Sequence, residues 1–262
     1  MPSKRMIESS LRLLVSALTI LLVPVIALLF AGQGSRSFHV NLYFNLFSAA
    51  VAVLVLREGL LLLKSCAGDP PHVLRPWLFV TAGLAVWTFS EISWAALYAF
   101  YGGPQVESVA YGLWTAGYPL LMVGLWYLAK PFASQLKEIK TLKILAPAVV
   151  VTAAAASLAA AAVASTLLKG GSPTGRLLTL LYIFLDAALL FTSLYAAMTF
   201  SPGVMGSALS LIALAFIAFC FADLLYYAAG TFEFLPADLL YATSYVLLLA
   251  GLRSIRELFR ER

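Results

Sequence analysis

Residues 77–101 read WLFVTAGLAVWTFSEISWAALYAFY, and this stretch decides the fold class of the chain. It is an unbroken and largely apolar run, and about 20 such residues are enough for a helix to cross the hydrocarbon core of a membrane. One carboxylate, Glu91, lies inside the run. The stretch therefore predicts a membrane-spanning helix, and it raises the question of what a carboxylate does there.

The composition of the whole chain indicates the same class. Of its 262 residues, 62% are hydrophobic and only 11% are charged, whereas a soluble domain carries roughly 25% charged residues. Such a chain cannot cover a surface that faces water, so its solvent must be lipid. We therefore predict an all-α integral membrane protein that contacts the bilayer.

Apolar runs separated by connectors rich in glycine and proline predict eight transmembrane helices and no soluble domain. The run at 144–168 is rich in alanine and weakly hydrophobic, so seven helices is the alternative. The predicted spans are 11–31, 40–64, 77–101, 108–129, 144–168, 176–200, 207–229 and 237–256.

Lysines and arginines predict the orientation of these spans. With eight helices, thirteen of the lysines and arginines fall on one side of the membrane, and Arg36, Lys169 and Arg176 fall on the other. Arg57 is not counted, since it lies inside the second predicted span. Basic loops stay in the cytoplasm, so we predict a multi-pass protein of the cell membrane with both termini cytoplasmic. The net charge of +5 is explained by this pattern and does not indicate nucleic-acid binding.

The chain also contains matches between its two halves. The segment TAGYPLLMVGL (115–125) resembles ATSYVLLLAGL (242–252), and LYFNLFSAA (42–50) resembles LYIFLDAAL (181–189). The second and fourth predicted spans thus resemble the sixth and eighth. The third span should then resemble the seventh, and this alignment pairs Glu91 with Asp223. We predict a four-helix unit that is duplicated in parallel, with repeats at 1–130 and 131–262; the alternative is chance similarity between leucine-rich helices.

Three acidic residues, Glu91, Asp186 and Asp223, lie inside predicted spans. An ionised carboxylate in the centre of a lipid-facing helix costs about 2.5 to 3.5 kcal/mol, so these side chains should face the interior of the bundle. Aromatic residues at helical spacing share their faces. The predicted ligand-binding set is Glu91, Trp94, Trp114, Tyr118, Tyr182, Asp186, Asp223, Tyr226, Tyr241 and Tyr245.

Two interpretations of this set remain open. In one, the rings form an aromatic belt at the level of the headgroups, and the acids join helices by hydrogen bonds. In the other, they line a pocket for a cationic or polyhydroxylated ligand, which they would hold by cation–π contacts and charge-assisted hydrogen bonds.

Motifs of known chemistry are not found. There is no HExxH, GxSxG, Walker or GxGxxG sequence, and His39 and His72 fall in predicted loops. Cys66 and Cys220 form no CxxC pair. We therefore predict no catalytic residue, no metal site and no cofactor.

Two segments carry a resemblance to a known family: GGPQVESVAYGLWTAGYPLLMVGL (102–125) and ADLLYYAAGTFEFLPADLLYATSYVLLLAGL (222–252). They resemble the multi-helix membrane sensor regions that precede diguanylate-cyclase or histidine-kinase domains in some prokaryotic proteins. The resemblance covers roughly residues 77–256. It implies ligand binding and signal transduction, although those sensors continue into an output domain and this chain stops at RSIRELFRER.

The leading hypothesis is a sensor-like module that binds a small molecule or lipid from the extracytoplasmic side and signals to a partner protein in trans. A secondary transporter coupled to protons or cations is the second hypothesis, because parallel repeats and intramembrane carboxylates suit it. A structural or accessory subunit of a larger membrane complex is the third.

Overall fold

The computed structural model describes residues 16, 19, 20, 38–102, 109–133, 173–201, 203–229 and 235–260. This part of the chain contains six α-helices and no β-strand. The predicted all-α class is therefore confirmed. The helices are α1 (Phe38–Ser65), α2 (Pro71–Tyr101), α3 (Val109–Ala133), α4 (Pro173–Thr199), α5 (Val204–Ala229) and α6 (Leu235–Arg260).

Five of the six described helices are long and apolar enough to cross a membrane, and α3 is the exception. It has the length, but glycine, proline, tyrosine and tryptophan make up much of its sequence. On the outside of the helices, large apolar side chains such as Leu46, Phe89 and Phe184 are exposed. Exposed apolar surface of this kind suits contact with lipid, and the helices fit a multi-pass membrane protein.

The described helices correspond to six of the eight predicted spans, and most bounds agree within a few residues. The spans predicted at 11–31, apart from residues 16, 19 and 20, and at 144–168 lie outside the described residues. The predicted start of α2 at residue 77 is wrong, because the helix begins at Pro71 and continues through Pro76. Pro71 takes the first helical position, where the missing N–H has no partner to lose. Pro76 lies one turn further in and removes a single intrahelical hydrogen bond.

The six helices form a closed ring, in which each helix packs against its neighbours in sequence and α6 packs against α1. Most neighbours are antiparallel. At the seam between α3 and α4, however, Tyr111 contacts Tyr182 near the start of both helices, and Phe132 contacts Phe200 near their ends. These two helices therefore run parallel.

The seam between α6 and α1 is parallel as well. Phe44 packs with Ala242 early in both helices, and Glu58 is ion-paired with Arg256 late in both helices. The ring thus has two parallel seams and four antiparallel ones. We call the end that holds Glu91 and Asp238 the acidic end, and the end that holds Lys64 and Arg256 the basic end.

The centre of the ring is filled by aromatic rings of α2 and α5. Trp87 is fully buried and stacks on Phe219 with 5.0 Å between ring centroids. Its indole Nε1–H donates to the backbone oxygen of Trp114 at 3.0 Å. This stack closes the interior below the acidic end and so forms the floor of the site described next.

Candidate functional site

A cavity of about 90 Å³ lies inside the ring at the acidic end, and all six described helices contribute to its walls. For comparison, a cavity of about 150 Å³ holds a benzene molecule, which has six non-hydrogen atoms. The cavity is therefore of a size for a ligand of roughly four non-hydrogen atoms. It is lined by Asn41, Phe44, Asn45, Ser48, Glu91, Trp94, Tyr98, Tyr111, Trp114, Tyr118, Tyr182, Phe219, Asp223, Tyr226, Tyr227, Asp238 and Tyr241.

Glu91, on α2, is the most heavily hydrogen-bonded acid in the site. It is 2% exposed, and its Oε1 accepts three hydrogen bonds. The donors are the indole Nε1–H of Trp114 at 2.9 Å and the hydroxyls of Tyr241 and Tyr245, each at 2.8 Å. Because all three donors are neutral, they stabilise a negative charge on Glu91 without cancelling it.

Asp186 and Asp223 form a second acidic group on the other side of the cavity. Asp186, at the midpoint of α4, is buried and accepts a hydrogen bond from the Tyr118 hydroxyl at 2.5 Å. Asp223 lies on α5, whose Cys220, one turn earlier, donates its thiol hydrogen to the backbone oxygen of Asp186 at 3.6 Å. Asp223 is only half-buried and lines the cavity, so it is the member of the pair that a ligand would meet.

Asp238 and Asn41 add two further polar groups to the lining. Asp238, at the start of α6, accepts a hydrogen bond from the Tyr226 hydroxyl. Asn41, on α1, is 4% exposed, and its side-chain Oδ1 has no hydrogen-bond partner among the described residues. A buried amide oxygen without a partner costs about 1–3 kcal/mol, which a ligand that donates a hydrogen bond would recover.

The structure brings the predicted site residues together. Eight of the ten line the cavity, and they come from α2, α3, α4, α5 and α6. The other two, Asp186 and Tyr245, lie behind the lining and are hydrogen-bonded to lining residues. Glu91 and Asp223 do not share a hydrogen bond in the described interactions, and each lines the cavity from its own helix.

The sequence prediction missed the contribution of α1. Asn41, Asn45 and Ser48 line the cavity from this helix. They are polar residues inside an apolar span, at spacings of four and three that put them on one helical face. That periodicity was available in the sequence and would have identified the stripe.

The chemistry of the cavity favours a cation. Glu91, Asp223 and Asp238 line it together with seven tyrosine and two tryptophan side chains, and no basic residue is among the described lining residues. Aromatic faces and carboxylates both attract positive charge. A metal ion fits less well, since no group of three or more His, Cys, Asp or Glu side chains in the described ranges is arranged to hold one.

No protein-family model, no curated protein and no solved structure matches this chain.

Proposed function

We propose that the protein is a membrane module that binds a small organic ammonium ion in the cavity at the acidic end. The observation that carries this proposal is the carboxylate of Glu91, held by three neutral donors next to aromatic rings. This buried carboxyl group has no basic side chain beside it among the described lining residues. An ammonium ion would supply the charge, and its methyl groups would pack on the rings.

We further propose that the cavity opens to the extracytoplasmic side. The opposite end of the ring carries the basic residues that the positive-inside rule places in the cytoplasm. They include Lys64, Arg75, Lys130, Arg253 and Arg260, all at or near helix ends. This polarity supports a protein of the cell membrane whose ligand arrives from outside.

The proposed architecture is the predicted set of eight helices. The parallel seam between α3 and α4 supports it, because the chain between Ala133 and Pro173 has to return from the basic end to the acidic end. A further membrane crossing at 144–168 would achieve this return. The span at 11–31 would complete the first of two four-helix units, at 1–130 and 131–262.

The proposed duplication gains support from matching contacts in the two halves. A Cβ atom at Gly124 would lie 2.6 Å from Val80 Cγ2, and one at Gly251 would lie 2.7 Å from Ile212 Cγ1. Gly124 aligns with Gly251 in the matched segments 115–125 and 242–252. The alignment that pairs Glu91 with Asp223 also pairs Val80 with Ile212. The same close approach of helices therefore occurs at equivalent positions.

The contacts at the centre also fit a two-fold relation between α1–α3 and α4–α6. The alignment that pairs Glu91 with Asp223 also pairs Trp87 with Phe219. These two rings stack on each other, as equivalent residues beside a two-fold axis would. A two-fold rotation would also exchange the two parallel seams of the ring, which lie between α3 and α4 and between α6 and α1. The cavity would then lie on this axis, between the repeats.

The proposed role is that of a sensor that passes ligand binding to a partner protein in trans, as the resemblance to prokaryotic sensor regions implies. A secondary transporter is the second candidate, and the acids Asp186 and Asp223 inside neighbouring helices favour it, because intramembrane carboxyl groups carry protons in transporters. Uptake of radiolabelled methylammonium into proteoliposomes would separate the two. A transporter should accumulate methylammonium inside the proteoliposomes, whereas a sensor should not.

The binding proposal is tested with the full chain in lipid nanodiscs. Trimethylammonium has four non-hydrogen atoms, and 2-propanol is its uncharged counterpart of the same shape. We expect trimethylammonium to raise the unfolding temperature in a concentration-dependent way, since a ligand that binds only the folded state stabilises it. We expect no rise with 2-propanol or with glycerol, which represents a polyhydroxylated ligand.

Variants connect this effect to the site. Glu91→Gln keeps an acceptor oxygen for the three donors but removes the charge, so it should abolish the stabilisation by trimethylammonium. Asp69→Asn, a matched loss of a carboxylate in the loop between α1 and α2, should leave it unchanged. Equal stabilisation by 2-propanol, or an undiminished effect in Glu91→Gln, would refute the proposal.

A further inference from the structure

Asn41, on α1, has a buried acceptor atom that the described chain leaves unused. The residue lines the cavity and is 4% exposed, and its side-chain Oδ1 has no hydrogen-bond partner among the described residues. An amide oxygen only accepts hydrogen bonds, so its partner has to bring the hydrogen. A ligand that carries an N–H group into the cavity would satisfy this oxygen.

Glu91, on α2, has a second acceptor atom that its described partners do not use. All three of its described hydrogen bonds go to Oε1, and none of them goes to Oε2. A carboxyl oxygen of this kind can also accept an N–H. Glu91 lines the same cavity as Asn41, so two helices offer the ligand an acceptor each.

We propose that the cavity selects a primary ammonium ion over more fully methylated ones, and that Asn41 makes the selection. This inference rests on the proposed function, since it concerns the ligand of the same cavity. A primary ammonium group has three N–H donors, so it can donate to Glu91 and to Asn41 at once. A trimethylammonium ion has a single N–H and can serve only one of these two acceptors.

The rest of the lining suits a ligand with a polar end and an apolar end. Polar side chains line the cavity from one face of α1, at Asn41, Asn45 and Ser48. Aromatic rings line it from α2, α3 and α5, at Trp94, Trp114 and Phe219. A short branched alkyl group attached to a primary ammonium group would place carbon on the rings and N–H groups on the acceptors.

The cost of removing water explains why Asn41 decides the selection. An ammonium group gives up hydrogen bonds to water when it enters the cavity, and each N–H that finds no acceptor there costs binding free energy. A primary ammonium ion has more N–H groups than a trimethylated one, so it depends more on the acceptors of the site. Without the oxygen of Asn41, the primary ion should therefore lose its advantage.

Two ligands of equal size test the selection. Isopropylammonium and trimethylammonium have the same charge, four non-hydrogen atoms each and the same branched shape, but three N–H groups against one. Isothermal titration calorimetry is performed on the full chain in lipid nanodiscs. The wild type should bind isopropylammonium at least about tenfold more tightly, which corresponds to one hydrogen bond with a charged donor.

Asn41→Leu removes the acceptor and keeps a side chain of similar size. The ratio of the two affinities should fall to about one, through weaker binding of isopropylammonium. The ligand-free variant should unfold at the same temperature as the wild type or higher, because the lost oxygen had no partner. Ser65→Ala is the control, since it removes a hydroxyl from the other end of α1, where that group donates to the backbone oxygen of Leu61, and it should keep the wild-type ratio.

The possible failures are distinguishable. Equal affinities in the wild type, a preference for trimethylammonium, or an undiminished ratio in Asn41→Leu would overturn the selection while leaving the proposed function intact. A lower unfolding temperature of ligand-free Asn41→Leu would also overturn it, because the amide would then have a structural partner in the protein. A wild type that binds neither ion would overturn both the selection and the proposed function.

Discussion

Glu58, near the basic end of α1, is paired with two arginines that differ in exposure, and this difference predicts unequal effects of their removal. Arg256 of α6 contacts Glu58 Oε2 at 2.8 Å, and its side chain is 12% exposed. Arg57 contacts Glu58 Oε1 at 3.2 Å, and its side chain is 64% exposed. Glu58 itself is buried, so it depends on a partner inside the ring.

Replacement of Arg256 with methionine should destabilise the protein by about 3 kcal/mol. Loss of one partner of a buried ion pair costs about 3–5 kcal/mol, because it leaves a buried charge uncompensated. The lower figure applies here since Glu58 keeps its contact with Arg57. Arg57→Met is the matched control, and it should cost at most about 1 kcal/mol, as exposed ion pairs do.

The assay is equilibrium unfolding in detergent micelles, followed by the helical circular dichroism signal. The double variant Glu58→Leu/Arg256→Met should recover most of the loss, because an apolar pair of similar volume replaces a buried ion pair at little cost. Equal losses for Arg57→Met and Arg256→Met would refute the reasoning. It would mean that burial at this seam between α1 and α6 does not determine the strength of the pair.

Two further predictions concern the interior. Tyr245→Phe should destabilise the protein by about 0.5–1.5 kcal/mol, the net contribution of a typical hydrogen bond, because it removes one of the three donors to Glu91. Tyr127→Phe, at an exposed tyrosine, should have no effect in the same unfolding assay, and similar losses for both variants would contradict the assignment. Gly124→Ala should cost about 1–3 kcal/mol through overpacking, because a Cβ there would lie 2.8 Å from the α2 backbone. Gly112→Ala, where nothing lies within 4 Å of a Cβ, should be neutral or stabilising, and a loss there equal to that of Gly124→Ala would contradict the packing argument.

The fold class was predictable because lipid imposes a simple rule on sequence. Long apolar runs form helices, since only a helix satisfies its own backbone hydrogen bonds in hydrocarbon. The start of α2 was not predictable in the same way. The segment PPHVLRP reads as a loop, yet Pro71 and Pro76 lie in a helix, because prolines near a helix start remove few hydrogen bonds.

The candidate site was predictable where helical periodicity alone was sufficient. Glu91 and Trp94 share a face of α2, and both line the cavity. Tyr101, on the same predicted face, is 67% exposed, since the helix ends there. The hydrogen bond from the Tyr118 hydroxyl to Asp186 joins α3 to α4, and no pattern within one helix specifies which polar residues of different helices meet.

The three donors of Glu91 lie on helices that are very different distances away along the chain, and this has a consequence for the order of folding. Trp114 lies on α3, 23 residues from Glu91, whereas Tyr241 and Tyr245 lie on α6, 150 and 154 residues away. Contacts between residues so far apart in sequence form only after the chain between them has been ordered. Glu91 therefore receives its full set of donors only when α6 has packed into the ring, and we expect the acidic end to be among the last parts of the described bundle to form.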